Sequence, residues 1–165
     1  MVRLGIVILR WLLFATQRLL NLLTWGNWPS AVATCAIITD EQGRLLLLER
    51  ADGAGLGLPG GFIRQRERVE EAIRREVLEE TGIEVRIVRC LGHLSGPRHP
   101  GVACVDVVYH CVPVAESPPE PKTGLEGAAG WHRYEEVRGR IAYDYAEIVE
   151  PFLAEASVDD ATGPI

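Results

Sequence analysis

Two rhythms of apolar and polar residues divide the chain. From Leu4 to Leu23 Leu, Ile, Val, Trp and Phe dominate, while Arg3, Arg10 and Gln17 recur every seven residues with Arg18 and Asn21 beside them. That spacing draws a narrow polar stripe along a helix, and Trp25, Trp28 and Pro29 bring it to an end. From Ala31 the apolar runs shorten and read as strands. AVATCAIIT (31–39) and RLLLLER (44–50) flank a DEQG turn, with Gly43 available for positive φ, and together predict a hairpin. A glycine-dense loop, ADGAGLGLPGG, covers 51–61. Residues 67–81 lack Gly and Pro and are rich in Glu, Arg and Leu, which predicts a helix stopped at Thr81-Gly82. IEVRIVRCLGHL (83–94) and VACVDVVYHCVPV (102–114) alternate like two further strands, and Pro97 to Pro100 read as a loop between them. A Pro-rich loop (116–124), a strand running into a turn (128–137) and an amphipathic helix (142–156) complete the pattern. The order β-β-loop-α-β-β-β-α predicts a mixed α/β sandwich. No internal repeat interrupts it, so the expected organisation is a hydrophobic helical segment over 1–29, one domain over 30–157 and a tail over 158–165.

Charge separates the two parts further. Residues 1–30 hold Arg3, Arg10 and Arg18 and no acid, so the remaining 14 of the 17 basic residues face all 23 acids, a charge of −9. An acidic body is the opposite of a nucleic-acid-binding balance, and no nucleic-acid partner is expected. Cys35, Cys90, Cys104 and Cys111 form no C-x-x-C pair and sit in apolar runs, which suits free thiols in a reducing cytoplasm. Arg10 breaks the apolar run too early for a secretory signal. For a spanning helix, twelve Leu, Ile, Val and Phe residues contribute roughly −4 to −7 kcal/mol, and Arg10, Arg18, Gln17 and Asn21 cost at least about as much. A helix lying in the membrane interface over residues 3–28, or packed on the domain or a second copy as a homodimer, uses the apolar face without that cost. The expected location is the cytoplasm, with the inner face of a membrane within reach.

The densest chemistry lies in GGFIRQRERVEEAIRREVLEETGI (60–83). On a helix, Glu76, Glu79 and Glu80 gather at i, i+3 and i+4, where like charges repel. Val69, Ala72 and Ile73 lie on the same stripe, so the carboxylates prolong an apolar face and are expected to point into a pocket. Clustered, partly desolvated carboxylates call for cations among them, and oxygen-only ligands favour Mg2+ or Mn2+. Arg75 stands four residues from both Glu71 and Glu79 and is expected to brace a ligating glutamate. The Gly-Leu-Pro-Gly-Gly run before the helix lets main-chain groups approach a metal or phosphate with no Cβ in the way.

Gly61, Glu67, Arg75, Glu76, Val77, Glu79, Glu80, Gly82 and Ile83 occupy, in register, the fixed positions of G-x5-E-x7-R-E-U-x-E-E-x-G-U, where U is aliphatic. In this the chain resembles the Nudix hydrolases. The resemblance implies a Nudix α/β/α sandwich over roughly 31–156, preceded here by the extra hydrophobic helix. It implies a metal-dependent pyrophosphohydrolase that cleaves a nucleoside diphosphate linked to another group, such as a nucleotide, nucleotide sugar or dinucleotide, by attack of metal-activated water on phosphorus. By position, Glu76, Glu79 and Glu80 correspond to catalytic metal ligands, the Gly60 carbonyl to a main-chain ligand, and Glu67 and Arg75 to the residues that orient them. Glu126 stands where many members place a further glutamate for metal or base. Arg64, Gln65 and Arg66 depart from the acid and Pro-Gly common there, and Arg64, Arg66 and Arg98 either touch substrate phosphate or are solvated. A nucleotide sensor of the same fold would need the same pocket without turnover. His93, His99, His110 and His132 are scattered with no nucleophile beside them, which argues against a triad hydrolase. Tyr109, Tyr143 and Tyr145 are placed to stack a base or to fill the core.

Overall fold

The apolar runs of the body are continuous rather than alternating because both faces of the central strands are covered. A computed structural model describes residues 15–16, 18–20, 22–23, 25, 31–51, 53–99, 102–115, 120–122 and 127–161. The strands are β1 (Ala31–Ile38), β2 (Leu45–Arg50), β3 (Leu56–Gly57), β4 (Gly60–Phe62), β5 (Val85–His99), β6 (Val102–Pro113) and β7 (Gly127–His132). The helices are α1 (Val69–Thr81), the single turn α2 (Tyr134–Val137) continued by a 3-10 turn (Arg138–Arg140), and α3 (Ala146–Ala161). A mixed sheet runs β4-β1-β6-β5 and a smaller one β3-β2-β7. Along β1 the side chains of Cys35 and Ile37 join Leu45, Leu47, Val108, Val149 and Phe152 on the α3 side. Ala36 and Ile38 point the other way, to Leu46, Ile73, Val77, Tyr109 and Cys111 on the α1 side. The period-2 alternation of each strand therefore feeds two cores, and the result is an α/β/α sandwich.

The expected hairpin of 31–50 does not form as a strand pair: β1 and β2 belong to different sheets. Asp40 forms the turn, its Oδ1 accepting from Gln42 N–H (3.0 Å) and Arg44 N–H (2.8 Å). Beyond it β1 and β2 meet only at the Thr39–Leu45 bridge. β1 then runs parallel to β6 and antiparallel to β4, whereas β2 pairs with β3 and β7. Two strands buried on both faces gain more by entering separate sheets than by pairing with each other alone. The glycine-dense loop also contains β3 and β4, and β5 continues through Pro97 to His99, replacing the loop expected there. β5 is the last strand of its sheet, where a proline's missing N–H is tolerated. Within the expected N-terminal segment only 15–16, 18–20, 22–23 and 25 are described, and 162–165 lie outside the described residues.

Candidate active site

α1 is set by its ends and its buried stripe. The Arg68 N–H donates to the Glu71 carboxylate (3.1 Å) at the start, and the Gly82 N–H donates to the Leu78 carbonyl (2.9 Å) at the end. Ala72, Ile73, Val77, Glu80 and Thr81 are buried, so the apolar stripe does run into an acid. It faces β4, where the Gly60 N–H donates to Glu80 Oε2 at 2.9 Å. A Cβ on Gly61 would stand 2.7 Å from the Glu76 carboxyl carbon, so the strand passes this carboxylate as closely as only glycine permits. Glu76 and Glu80 thus both address the Gly60-Gly61 backbone.

Glu79 does not share that position. Its side chain is 50% exposed, one helical step of about 100° away from Glu80, and it meets Arg64 Nη2 at 3.2 Å and Arg75 Nη1 at 3.4 Å. The expected pocket of three inward carboxylates is therefore two inward and one on the flank. Among the described residues no three His, Cys, Asp or Glu side chains form a ligand set by themselves, and Arg64 and Arg75 are paired with the glutamates here.

Arg75 organises the cluster. Its Nε and Nη2 grip Glu67 at 2.7 and 2.9 Å, its Nη1 donates to Glu76 Oε1 at 2.6 Å, and its Nη2 reaches the Phe62 carbonyl at 3.3 Å. The side chains of Arg75, Glu67 and Glu76 are largely enclosed, which makes this bidentate grip stronger than a surface pair. Glu71, the other acid expected beside Arg75, serves the helix start. The Arg64 N–H donates to Glu67 Oε2 at 2.9 Å, a contact for which the sequence carries no signal, since it depends on a loop backbone rather than a side chain. The hydrogen bonds from Arg75 and then from the Arg64 backbone hold the Glu67 carboxyl at about 2, well below its ordinary value of 4.5, and the same pairing raises Arg75. A carboxylate whose pKa is depressed on folding stabilises the folded state above pH 4.5 and loses that contribution as pH falls toward 2. Glu67→Gln is accordingly expected to show its largest deficit in urea midpoint above pH 5, shrinking toward pH 2; a pH-independent deficit would contradict the ionic clamp.

The other residues singled out by sequence are spread more widely. Arg66 is exposed with φ 68°, and Arg64 is occupied by Glu79. Arg98 lies on β5 with its side chain outside the described residues, and Glu126 lies outside them altogether. Tyr109 and Tyr145 are buried in the two cores, while Tyr143 packs under the Arg50 guanidinium at 4.9 Å.

A glutamate helix behind a glycine strand, with an arginine clamp joining them, is now placed on an α/β/α sandwich. Residues 29–152 match the model of the NUDIX domain. The chain belongs to the NUDIX family. The matched segment holds both sheets and every described residue of the glutamate cluster, and the protein is a NUDIX hydrolase. It is 35% identical over 117 residues to a MutT-like protein of Streptomyces ambofaciens, covering 70% of this chain and 72% of that one. It is 39% identical over 83 residues to an ADP-ribose pyrophosphatase of Methanocaldococcus jannaschii, covering 48% of each. Its fold superposes on the crystal structure of a MutT protein from Methanosarcina mazei Go1 with a TM-score of 0.66 and 25% identity, over 79% of this chain and 97% of that one.

Proposed function

We propose that this NUDIX hydrolase is a divalent-cation-dependent pyrophosphohydrolase acting on a nucleoside diphosphate linked to a second group. The observation that carries the reading is the convergence of Glu76 and Glu80 on the Gly60-Gly61 backbone, where Glu80 accepts the Gly60 N–H and the Glu76 carboxylate fills the space a Cβ on Gly61 would need. The two carboxylates are oxygen donors and largely enclosed, which fits Mg2+ or Mn2+. Glu76, Glu80 and the Gly60 carbonyl would hold the cation, with Glu79 available from the flank once released by Arg64, and Glu126 as a further ligand or base. A cation bound there supplies charge neutralisation on phosphoryl oxygens and a more acidic water.

The chain's own groups do the positioning. Arg75 keeps the Glu76 carboxylate aimed at the glycine strand by holding Glu67 with its other nitrogens, so Glu67 acts through Arg75 rather than on substrate. Arg64 and Arg66 bring positive charge to the loop where substrate phosphates would lie, and Arg98 is a third candidate. The pyrophosphatase activity carried in the names of relatives supports the reaction class, and the cytoplasm supplies such substrates. Full-length protein should hydrolyse at least one of a panel of nucleoside triphosphates, dinucleoside polyphosphates, ADP-ribose, NADH and nucleotide sugars, read as phosphate released with added pyrophosphatase and phosphatase. EDTA should abolish turnover, and excess Mg2+ or Mn2+ should restore it. Tight nucleotide binding with no turnover in any metal would replace this reading with a sensor of the same fold.

A further inference from the structure

The hydrophobic segment before the domain has no role in the proposed chemistry, and its described part is largely exposed. Residues 15–16, 18–20 and 22–23 are helical; Ala15, Thr16, Arg18, Leu19, Leu22 and Leu23 are exposed and Leu20 alone is half-buried. Trp25 (93% exposed) and Leu22 (76%) are the most exposed large apolar side chains among the described residues. The segment also precedes the family match, which begins at residue 29. It lies outside the matched family domain, and it leaves leucines and a tryptophan exposed to water, where apolar surface gains from any apolar contact.

From these features we infer that this segment docks on an anionic lipid surface, lying in the interface and tethering the hydrolase to it. Charge selects this occupant over a second copy of the same segment. Residues 1–30 carry Arg3, Arg10 and Arg18 and no acid, so self-pairing through a two-fold contact would set like charges together. An anionic bilayer meets the same arginines with opposite charge, while the acidic remainder of the chain is repelled and left in solution. Trp25, whose backbone N–H donates to the Leu22 carbonyl at 3.4 Å, adds an exposed amphipathic ring just after the helical residues, and such rings sit at headgroup level. Arg10, Arg18, Gln17 and Asn21 make a full span costly, so the contact proposed is interfacial.

Co-sedimentation of the full-length protein with vesicles tests the inference. Binding to mixed phosphatidylglycerol and phosphatidylcholine vesicles is expected to exceed binding to phosphatidylcholine alone by roughly 10–100-fold and to weaken with salt. Leu22→Glu/Leu23→Glu should lower the partition coefficient by about 100-fold or more while leaving the thermal melt and any hydrolysis unchanged, because both residues lie outside the cores. Arg18→Glu should lower it by about tenfold or more on the anionic vesicles only. Protein that stays in the supernatant with both vesicle types would overturn the inference. So would vesicle binding indifferent to the double substitution, or a dimer in light scattering that the double substitution dissolves and vesicles do not compete for.

Discussion

Glu80→Gln is expected to lower kcat by roughly 100–1,000-fold while the protein stays folded. The structure separates the two roles of this side chain. As a hydrogen-bond acceptor it takes the Gly60 N–H at 2.9 Å, and a glutamine oxygen takes the same bond, so α1 and β4 remain joined. As a buried charge beside Glu76 it is proposed to hold the cation, and an amide gives that up. Steady-state kinetics on a substrate from the panel, beside a thermal melt of the variant, distinguishes the outcomes. Turnover near the parent's would remove Glu80 from the catalytic machinery, whereas loss of turnover together with loss of fold would mean the carboxylate is structural.

The largest effect on stability is expected at Gly60. Its φ of 153° lies where side chains are strained, and an added Cβ would meet the Thr34 carbonyl oxygen and come within 2.6 Å of Cys35 Cα. Both obstacles are main chain of the central strand, paired here in register (Cys35 with Gly60, Thr34 with Gly61), so neither has a flexible end to move. Gly60→Ala should cost about 2–5 kcal/mol from backbone strain and overpacking together. Gly43→Ala is the comparison: its φ of 70° is also left-handed, but nothing lies within 4 Å of the added carbon. It should cost only about 1–2 kcal/mol. Urea denaturation of the two variants reads the difference, and equal losses would mean that conformation rather than crowding governs Gly60.

What could be read in advance followed from how local the deciding forces are. The start, stop and buried stripe of α1 rest on neighbours within two turns, and the run of Val69, Ala72 and Ile73 into Glu76 and Glu80 was legible for that reason. Glu79 was misplaced because spacing alone does not say which of two adjacent acids turns inward, and Arg64, fifteen residues earlier, draws it outward. The role of Glu67 was available only through the family resemblance, since its partner Arg75 lies two turns away across a loop. The separation of β1 from β2 was illegible for a different reason. The Asp40 turn and the two apolar runs look the same whether the strands pair with each other or with distant partners. β3 and β4 escaped because glycines carry no strand preference, and their pairing is imposed by the strands beside them.

The parallel pairing of β1 with β6 also bears on how the molecule comes into being. Thr34 Oγ1 donates to the Val107 carbonyl across 73 residues of sequence, and every β1 residue waits for a partner between Cys104 and Cys111. As the chain leaves a ribosome, AVATCAII lacks its parallel partner for the time it takes to make the four strands and one helix between them, directly behind a leucine-rich segment. Contacts of such span fold slowly, and an unpaired apolar strand is a hazard meanwhile. The hydrophobic segment and the central strand are thus most vulnerable together and at the same moment, and a surface that takes up the first would shorten the list of wrong partners for the second.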